Sequence, residues 1–242
     1  MEKEESTIYY LKNEDILNKD ILYNYIYPNL ESNYYWSDDF SEEFYIHSAY
    51  AGFICVSNFY NNKLLLLPEL QYEYAILDFE NLHISKKVQT LINKKQYALT
   101  INENFEELLS HINSYHENCW LRDQYLELIK KLNIYKHKRI NFKIISVELK
   151  CLKTNKIIAG ELGYQIGSTY TSLTGFRNTH KKYNNCGTLQ LVLLAQYLKV
   201  NNFSFWNLGH ADMDYKLNLG AIVYSRANFL KRWIKKTKNK IF

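Results

Sequence analysis

Residues Ile144 to Phe176 read IISVELKCL, KTNK, IIAGELGYQIG and STYTSLTGF in succession, and this stretch constrains the fold more than any other. Ile145, Val147, Leu149 and Cys151 alternate with Ser146, Glu148 and Lys150, the period-two pattern of a strand with one buried face. Ile158, Leu162, Tyr164 and Ile166 continue the pattern beyond Thr154-Asn155, a pair suited to a tight turn because Asn tolerates positive φ. A hairpin closing symmetrically there sets Val147 opposite Leu162, Ile145 opposite Tyr164 and Glu148 opposite Glu161. Two carboxylates side by side destabilise a sheet unless a cation lies between them or one keeps its proton. Such a pair can bind an amine or act as a general base. It can equally be an exposed strand face neutralised by Lys150 or by a lysine from another element. A one-residue slip in register removes the pair altogether.

The rest of the chain frames this hairpin. The first residues are polar and acidic, with a hint of a short helix at Ile8, Leu11, Ile16 and Leu17. A helix capped by Ser41 runs to Gly52. Leu64–Leu67, closed by Pro68, and Tyr74–Phe79 read as strands, the first at an edge. His83–Leu91 has helical spacing, Tyr97–Ile101 alternates as a strand, and Asn104–Ser110 and Leu121–Leu132 read as amphipathic helices. After a strand at Tyr170–Phe176 and the basic loop RNTHKKYNN, Asn185 is placed to cap a helix carrying Leu189, Val192, Leu193, Gln196, Tyr197 and Val200. Phe203–Trp206 returns as a strand, Asp212 caps a short helix that Gly220 ends, and Ala221–Tyr224 is the last strand.

Charge is distributed unevenly. Residues 1–80 carry 4 Lys/Arg against 15 Asp/Glu, a net −11, and residues 81–242 carry 26 against 10, a net +16. A basic second half suits a polyanion such as nucleic acid, although the two halves can also attract each other. Cys55, Cys119, Cys151 and Cys186 form no Cys-x-x-Cys pair and have no His at zinc-ligand spacing, which points to a reducing compartment. The N-terminus lacks the basic start and apolar run of a signal peptide, and no window is apolar enough to span a bilayer. A soluble, cytoplasmic protein is expected.

The order strand, strand, strand, helix, strand, helix, Gly, strand resembles the core of GNAT-like acyltransferase folds. The expected class is therefore α+β, a mixed, splayed sheet with flanking helices, joined to a smaller N-terminal α+β region. Domain boundaries are expected at 1–35 for an acidic extension, 36–95 for a small α+β domain and 96–242 for the GNAT-like domain with a basic C-terminal helix.

A closer resemblance covers about Trp36 to Trp233. It is carried by Leu82-His83-Ile84-Ser85 with Lys86; Tyr97, Thr100, Asn102 and Phe105; Trp120-Leu121; Ser146-Val147-Glu148; Gly160, Gly163 and Gly167; Phe176; Leu219-Gly220-Ala221; and Arg226 with Phe229. In this order the fragments resemble the leucyl/phenylalanyl-tRNA protein transferase family, in its divergent eukaryotic and cyanobacterial branch, which is similar at Phe205-Trp206-Asn207-Leu208-Gly209 and Asp214-Tyr215-Lys216. The resemblance implies transfer of an aminoacyl group from aminoacyl-tRNA to a protein N-terminus, as in N-end-rule degradation, using neither metal nor CoA. A monomer is expected.

The departures fall at the site the resemblance implies. The family's Gly-Glu-Ser-Met-Phe-Ser aligns with Ser172-Leu173-Thr174-Gly175-Phe176-Arg177, which lacks the Glu. Its Asp-x-Gln pair falls on Leu208 and His210, or on Asn207 and Gly209. An apolar residue of the aminoacyl pocket aligns with Glu161, and a basic residue aligns with Tyr74. The catalytic candidates are Glu148 and Glu161, to orient or deprotonate the amine, and Asn207 or His210, to polarise the carbonyl. Gly160, Tyr164, Thr174, Phe176, Asn185, Gly187, Thr188 and Gln190 are the expected substrate contacts. A basic loop entering a helix N-terminus can hold an anion, so Arg177, Lys181 and Lys182, with Lys231, Arg232, Lys235, Lys236, Lys238 and Lys240 of the tail, are candidates for tRNA phosphates. A solvated amphipathic tail explains the last group equally well, and His83 and His210 can be ordinary loop or core residues.

Glu161 in the side-chain pocket would disfavour a purely apolar aminoacyl group and could favour a basic one. Two other readings stay open: a catalytically silent relative that binds tRNA or protein termini, and a CoA-dependent small-molecule N-acyltransferase. The second expects a Gln/Arg-x-x-Gly-x-Gly/Ala loop that RNTHKKYNNCGT does not contain.

Overall fold

Alternation in the central stretch does produce strands, but their register differs from the symmetric one. In a computed structural model, residues 8–117 and 119–238 are described, and Lys240 lies outside them. The elements in chain order are β1 (Tyr9–Tyr10), α1 (Asn13–Leu17), α2 (Lys19–Ile21), β2 (Tyr35–Trp36), α3 (Glu42–Tyr50), β3 (Ile54–Tyr60), β4 (Lys63–Glu69), β5 (Glu73–Leu77) and α4 (Lys86–Lys94). They continue with β6 (Tyr97–Ile101), α5 (Phe105–Tyr115), α6 (Asp123–Ile134), β7 (Phe142–Cys151), β8 (Lys156–Ile166), β9 (Thr169–Arg177), α7 (Cys186–Val200), β10 (Phe205–Asn207), α8 (Asp214–Leu219), β11 (Ile222–Ser225) and α9 (Arg226–Thr237).

Seven strands form one sheet in the order β11-β5-β10-β9-β8-β7-β6, in which only β9 and β10 run parallel. An antiparallel meander, a crossover helix and a parallel strand is the arrangement expected of a GNAT-like core. β3 and β4 form a separate hairpin, and the short β1 and β2 pair beside it. β5, which precedes the boundary expected at residue 95, is hydrogen-bonded between β11 and β10 of the main sheet. Apolar residues of β3, α3, α5, α6 and α9 pack on one face of the sheet, and those of α4 and α7 on the other.

The β7–β8 turn is a four-residue loop, Leu152 to Asn155, because Cys151 pairs with Lys156. The carbonyl of Cys151 accepts from Thr154 N and Asn155 N at 3.1 and 2.8 Å, and Asn155 takes the left-handed φ of +54° that closes such a loop. A bulge then leaves Ile158 unpaired, so Val147 faces Glu161 and Glu148 faces Gly160. The expected Glu148–Glu161 pair does not form. Neighbouring residues on a strand point to opposite faces, so the two carboxylates lie on opposite sides of the sheet.

Several local expectations shift in the same way. Ser41 does cap α3, its Oγ accepting from Phe44 N at 3.2 Å. The helix expected at His83–Leu91 begins after Ser85, whose Oγ accepts from Val88 N at 3.4 Å. Asn185 precedes α7 with a φ of +65° and its side chain makes no capping bond, and Met213 rather than Asp212 stands at the start of α8.

Candidate active site

β9 and β10 stay paired only as far as Thr171 and Asn207. Beyond that point the chain after β10 bends to β5, with Leu208 N donating to Ala75 O at 2.9 Å and Ala75 N donating to Gly209 O at 2.8 Å. β9 continues to Arg177 in the other direction, which opens a cleft between the two strands.

On the α7 side of this cleft sits Glu161, 5% exposed. A second bulge, at Leu173, brings Ser172 onto the same face as Glu161 and Tyr170. Tyr170 OH and Ser172 Oγ donate to Glu161 Oε1 at 2.9 and 2.7 Å, and Gln190 Nε2 donates to Oε2 at 3.2 Å. Trp206 Nε1 donates to Ser172 Oγ at 2.8 Å, tying β10 to β9 where the backbones part. Burial pushes the Glu161 carboxyl above its ordinary pKa, opposed by the three hydrogen bonds and by Lys216. Lys216, 4% exposed, donates from Nζ to His210 O at 2.6 Å. Burial brings its ammonium down from 10.5 to about 8, with Asp212 and Glu161 opposing.

The opposite face of β10 carries a second polar group. Asn207 Oδ1 accepts from Gly209 N at 3.0 Å, and its Nδ2, on a residue 1% exposed, has no hydrogen-bond partner among the described residues. Gly209 holds a φ of +75°, a conformation that favours glycine. His210 follows, with Nε2 at 2.9 Å from Glu69 Oε2. Glu69 also accepts from Asn33 Nδ2 at 2.7 Å and from Gln71 Nε2 at 3.2 Å. Asn33, Glu69, Gln71 and His210 border a cavity of about 700 Å³, which also takes in Glu73, Asp212 and Arg226. Arg226 is engaged by the carbonyls of Gln71 (3.1 Å), Leu70 and Asn29. The hydrogen bond to Glu69 holds the His210 imidazole above its ordinary pKa, with burial opposing.

Of the expected site residues, Glu161 joins Gln190 on the α7 side of the sheet, and Asn207 and His210 lie on the opposite side, at and just after the end of β10. Glu148 joins neither group: it is fully buried, and Thr100 Oγ1, Ser146 Oγ and Asn104 N supply donors to it at 2.7, 2.6 and 3.4 Å. Tyr164 is a core residue stacked on Phe142 with centroids 5.4 Å apart, and Gly160 makes room for Leu108 and the Val147 carbonyl. Phe176 stacks on His111, and Thr174 Oγ1 lies 3.4 Å from His116 Nε2. Gly187 lies under the aliphatic stem of Arg177, and Thr188, Lys181 and Lys182 are exposed nearby. Leu208 is buried in the α7-side core, so of the two placements of the polar pair only Asn207 and Gly209 share the face toward Gln71.

In the tail, Lys231, Lys235 and Lys238 are exposed and Lys236 is half-buried. Arg232 instead makes a two-pronged ion pair with Asp78, at 3.1 and 2.5 Å, and lies over the rings of Phe205 and Tyr224. Together with Lys199–Glu80, this pair shows that part of the charge asymmetry is satisfied between the two halves of the chain.

Sequence reasoning missed Glu69. Its one signal was an acid directly after LLLLP, where a charge in an apolar strand calls for a partner. It also missed the cluster of Glu43, His47 and His137, whose ligand atoms lie within 4.8 Å of one another. His137 Nδ1 accepts from Arg139 N and Ile140 N at 3.1 and 2.8 Å, so Nε2 bears the proton that faces Glu43. That tautomer suits a structural clamp and not a metal ligand.

Residues 76–233 match the sequence model of the family described as leucyl/phenylalanyl-tRNA protein transferase. The chain is 26% identical over 132 residues to a leucyl/phenylalanyl-tRNA protein transferase of Flavobacterium johnsoniae, covering 53% of this chain and 57% of that protein. It is 25% identical over 160 residues to the protein of that description from Flavobacterium psychrophilum, covering 64% and 70%. The chain thus spans little more than half the length of the first of these relatives. Among solved structures it is similar to FemX (TM-score 0.48, 10% identity, 81% of this chain and 70% of that one). It is also similar to L-PGS from Bacillus licheniformis (TM-score 0.38, 12% identity, 77% and 66%).

Proposed function

Because the chain belongs to the leucyl/phenylalanyl-tRNA protein transferase family, we propose that it transfers an aminoacyl group from aminoacyl-tRNA to the N-terminal amine of a protein. The observation that carries this reading is the buried Nδ2 of Asn207, without a partner among the described residues, at the point where β9 and β10 separate. Aminolysis of an ester builds negative charge on the carbonyl oxygen, and a fixed amide donor in a dry cleft stabilises that charge without reorganising. The ester is already activated, so holding the donor against the amine supplies much of the remaining acceleration.

Glu161 and Gln190 form the polar wall of the aminoacyl pocket. With three donors and Lys216 already serving its carboxylate, Glu161 acts through polarity and not by pairing with a substrate cation. This wall alters specificity away from purely apolar aminoacyl groups. Arg177, Lys181 and Lys182, beside the start of α7, contact phosphates at the acceptor end, and Lys231 and Lys235 extend that contact. Incubation with a fully charged tRNA pool and peptides bearing free or acetylated N-termini tests the reading. Labelled amino acid should enter only the free amines, and charged tRNA bound without transfer would instead mark a silent relative.

A further inference from the structure

Resting on that reading, we propose that His210, oriented by Glu69, is the base that takes the proton from the attacking amine. Glu69 ends β4 in a site 2% exposed, and among the described residues its one ion-pair partner is His210. Because Nε2 faces Glu69, Nδ1 is the nitrogen left for a substrate, and the His210 side chain is 47% exposed beside the 700 Å³ cavity. The carboxylate fixes the ring and stabilises the imidazolium, as an orienting acid does beside a catalytic histidine.

The backbone around His210 is held on both sides. Gly209 N is bonded to Asn207 Oδ1 at 3.0 Å, and His210 O accepts from Lys216 Nζ at 2.6 Å. The base is therefore fixed three residues from the donor assigned to the ester carbonyl. Gln71 lines the same cavity, is 2% exposed, and has an Oε1 without a partner among the described residues. An acceptor oxygen there suits an N–H of an incoming ammonium. The charged groups around His210 are Glu69 from β4, Glu73 from β5, Asp212 from the following loop, Lys216 from α8 and Arg226 from α9. The cavity lining carries three carboxylates, Glu69, Glu73 and Asp212, against the one guanidinium of Arg226, an acidic excess that attracts a cationic amine.

The step balances. The acceptor ammonium first gives one proton to solvent. As the neutral amine nitrogen bonds to the ester carbonyl carbon, its second proton passes to His210 Nδ1. The bond from that carbon to the ribose oxygen breaks, that proton passes from the imidazolium to the leaving oxygen, and the amide keeps the remaining N–H. Glu69 acts only through His210 and is a positioning residue.

The test is single-turnover transfer from charged tRNA as a function of pH for the wild type, His210→Gln, Glu69→Gln and His210→Ala with added imidazole, with tRNA affinity measured alongside. His210→Gln should slow transfer on the order of 10²- to 10⁴-fold and flatten the pH dependence at unchanged tRNA affinity. Glu69→Gln should move the inflection toward lower pH, and imidazole should restore rate to His210→Ala. A His210→Gln enzyme with the rate and profile of the wild type would overturn the assignment alone. A wild type that binds charged tRNA and transfers nothing would overturn the reading it rests on as well.

Discussion

Tyr170 donates its hydroxyl to Glu161 at 2.9 Å directly above Gly163, where a Cβ would stand 2.3 Å from that hydroxyl and 2.5 Å from the Thr171 carbonyl. The glycine is there because the hydrogen bond needs its space. Gly163→Ala should displace the Tyr170 ring and cost about 2–4 kcal/mol. Chemical denaturation measures this, with loss of transfer accompanying the loss of stability.

Glu161 is held in the fold with its pKa above the ordinary value. A group raised in this way stabilises fully below its unfolded pKa and loses that contribution as pH rises through the folded one. Glu161→Gln, which keeps the size and presents an amide to the flippable Gln190, should gain stability relative to the wild type as pH rises above about 4.5. Tm measured across this range checks the sign, and the same variant should transfer a different set of amino acids from a charged pool.

Lys216 gives the opposite slope. Its folded pKa of about 8 lies below its unfolded value of 10.5, so between these limits the unfolded chain binds more protons and stability rises with pH. Lys216→Met should abolish that rise. It should also slow transfer, because the His210 carbonyl loses its donor.

Two groups of basic residues should separate cleanly. Lys181→Gln with Lys182→Gln should lower the salt dependence of tRNA binding by roughly 0.7–0.9 for each phosphate no longer neutralised, and leave Tm unchanged. Arg232→Gln breaks the pair with Asp78 and should cost roughly 1–3 kcal/mol with the salt slope unchanged.

The fold was legible where the pattern was local. Tyr97–Ile101, the Ser41 cap and the order of elements after residue 142 could be read from periodicity and capping chemistry. The register of the central hairpin could not, because a four-residue loop and the bulge at Ile158 each move the pairing without changing the alternation. That slip put Glu148 and Glu161 together in the sequence reading and on opposite faces in the structure. β3 was missed because Ile54, Cys55, Val56 and Ser57 do not alternate cleanly. His210 could be singled out as a polar residue near a family motif. Its partner Glu69 lies 141 positions earlier in the chain, and only the folded sheet brings the two together.

The central claim is that transfer occurs where β9 and β10 part, with Asn207 holding the ester carbonyl. The direct measurement is the single-turnover transfer rate of Asn207→Ala against the wild type, with affinity for charged tRNA determined in parallel. The account predicts a fall on the order of 10²- to 10³-fold at unchanged tRNA affinity. Equal rates in the two proteins would contradict it.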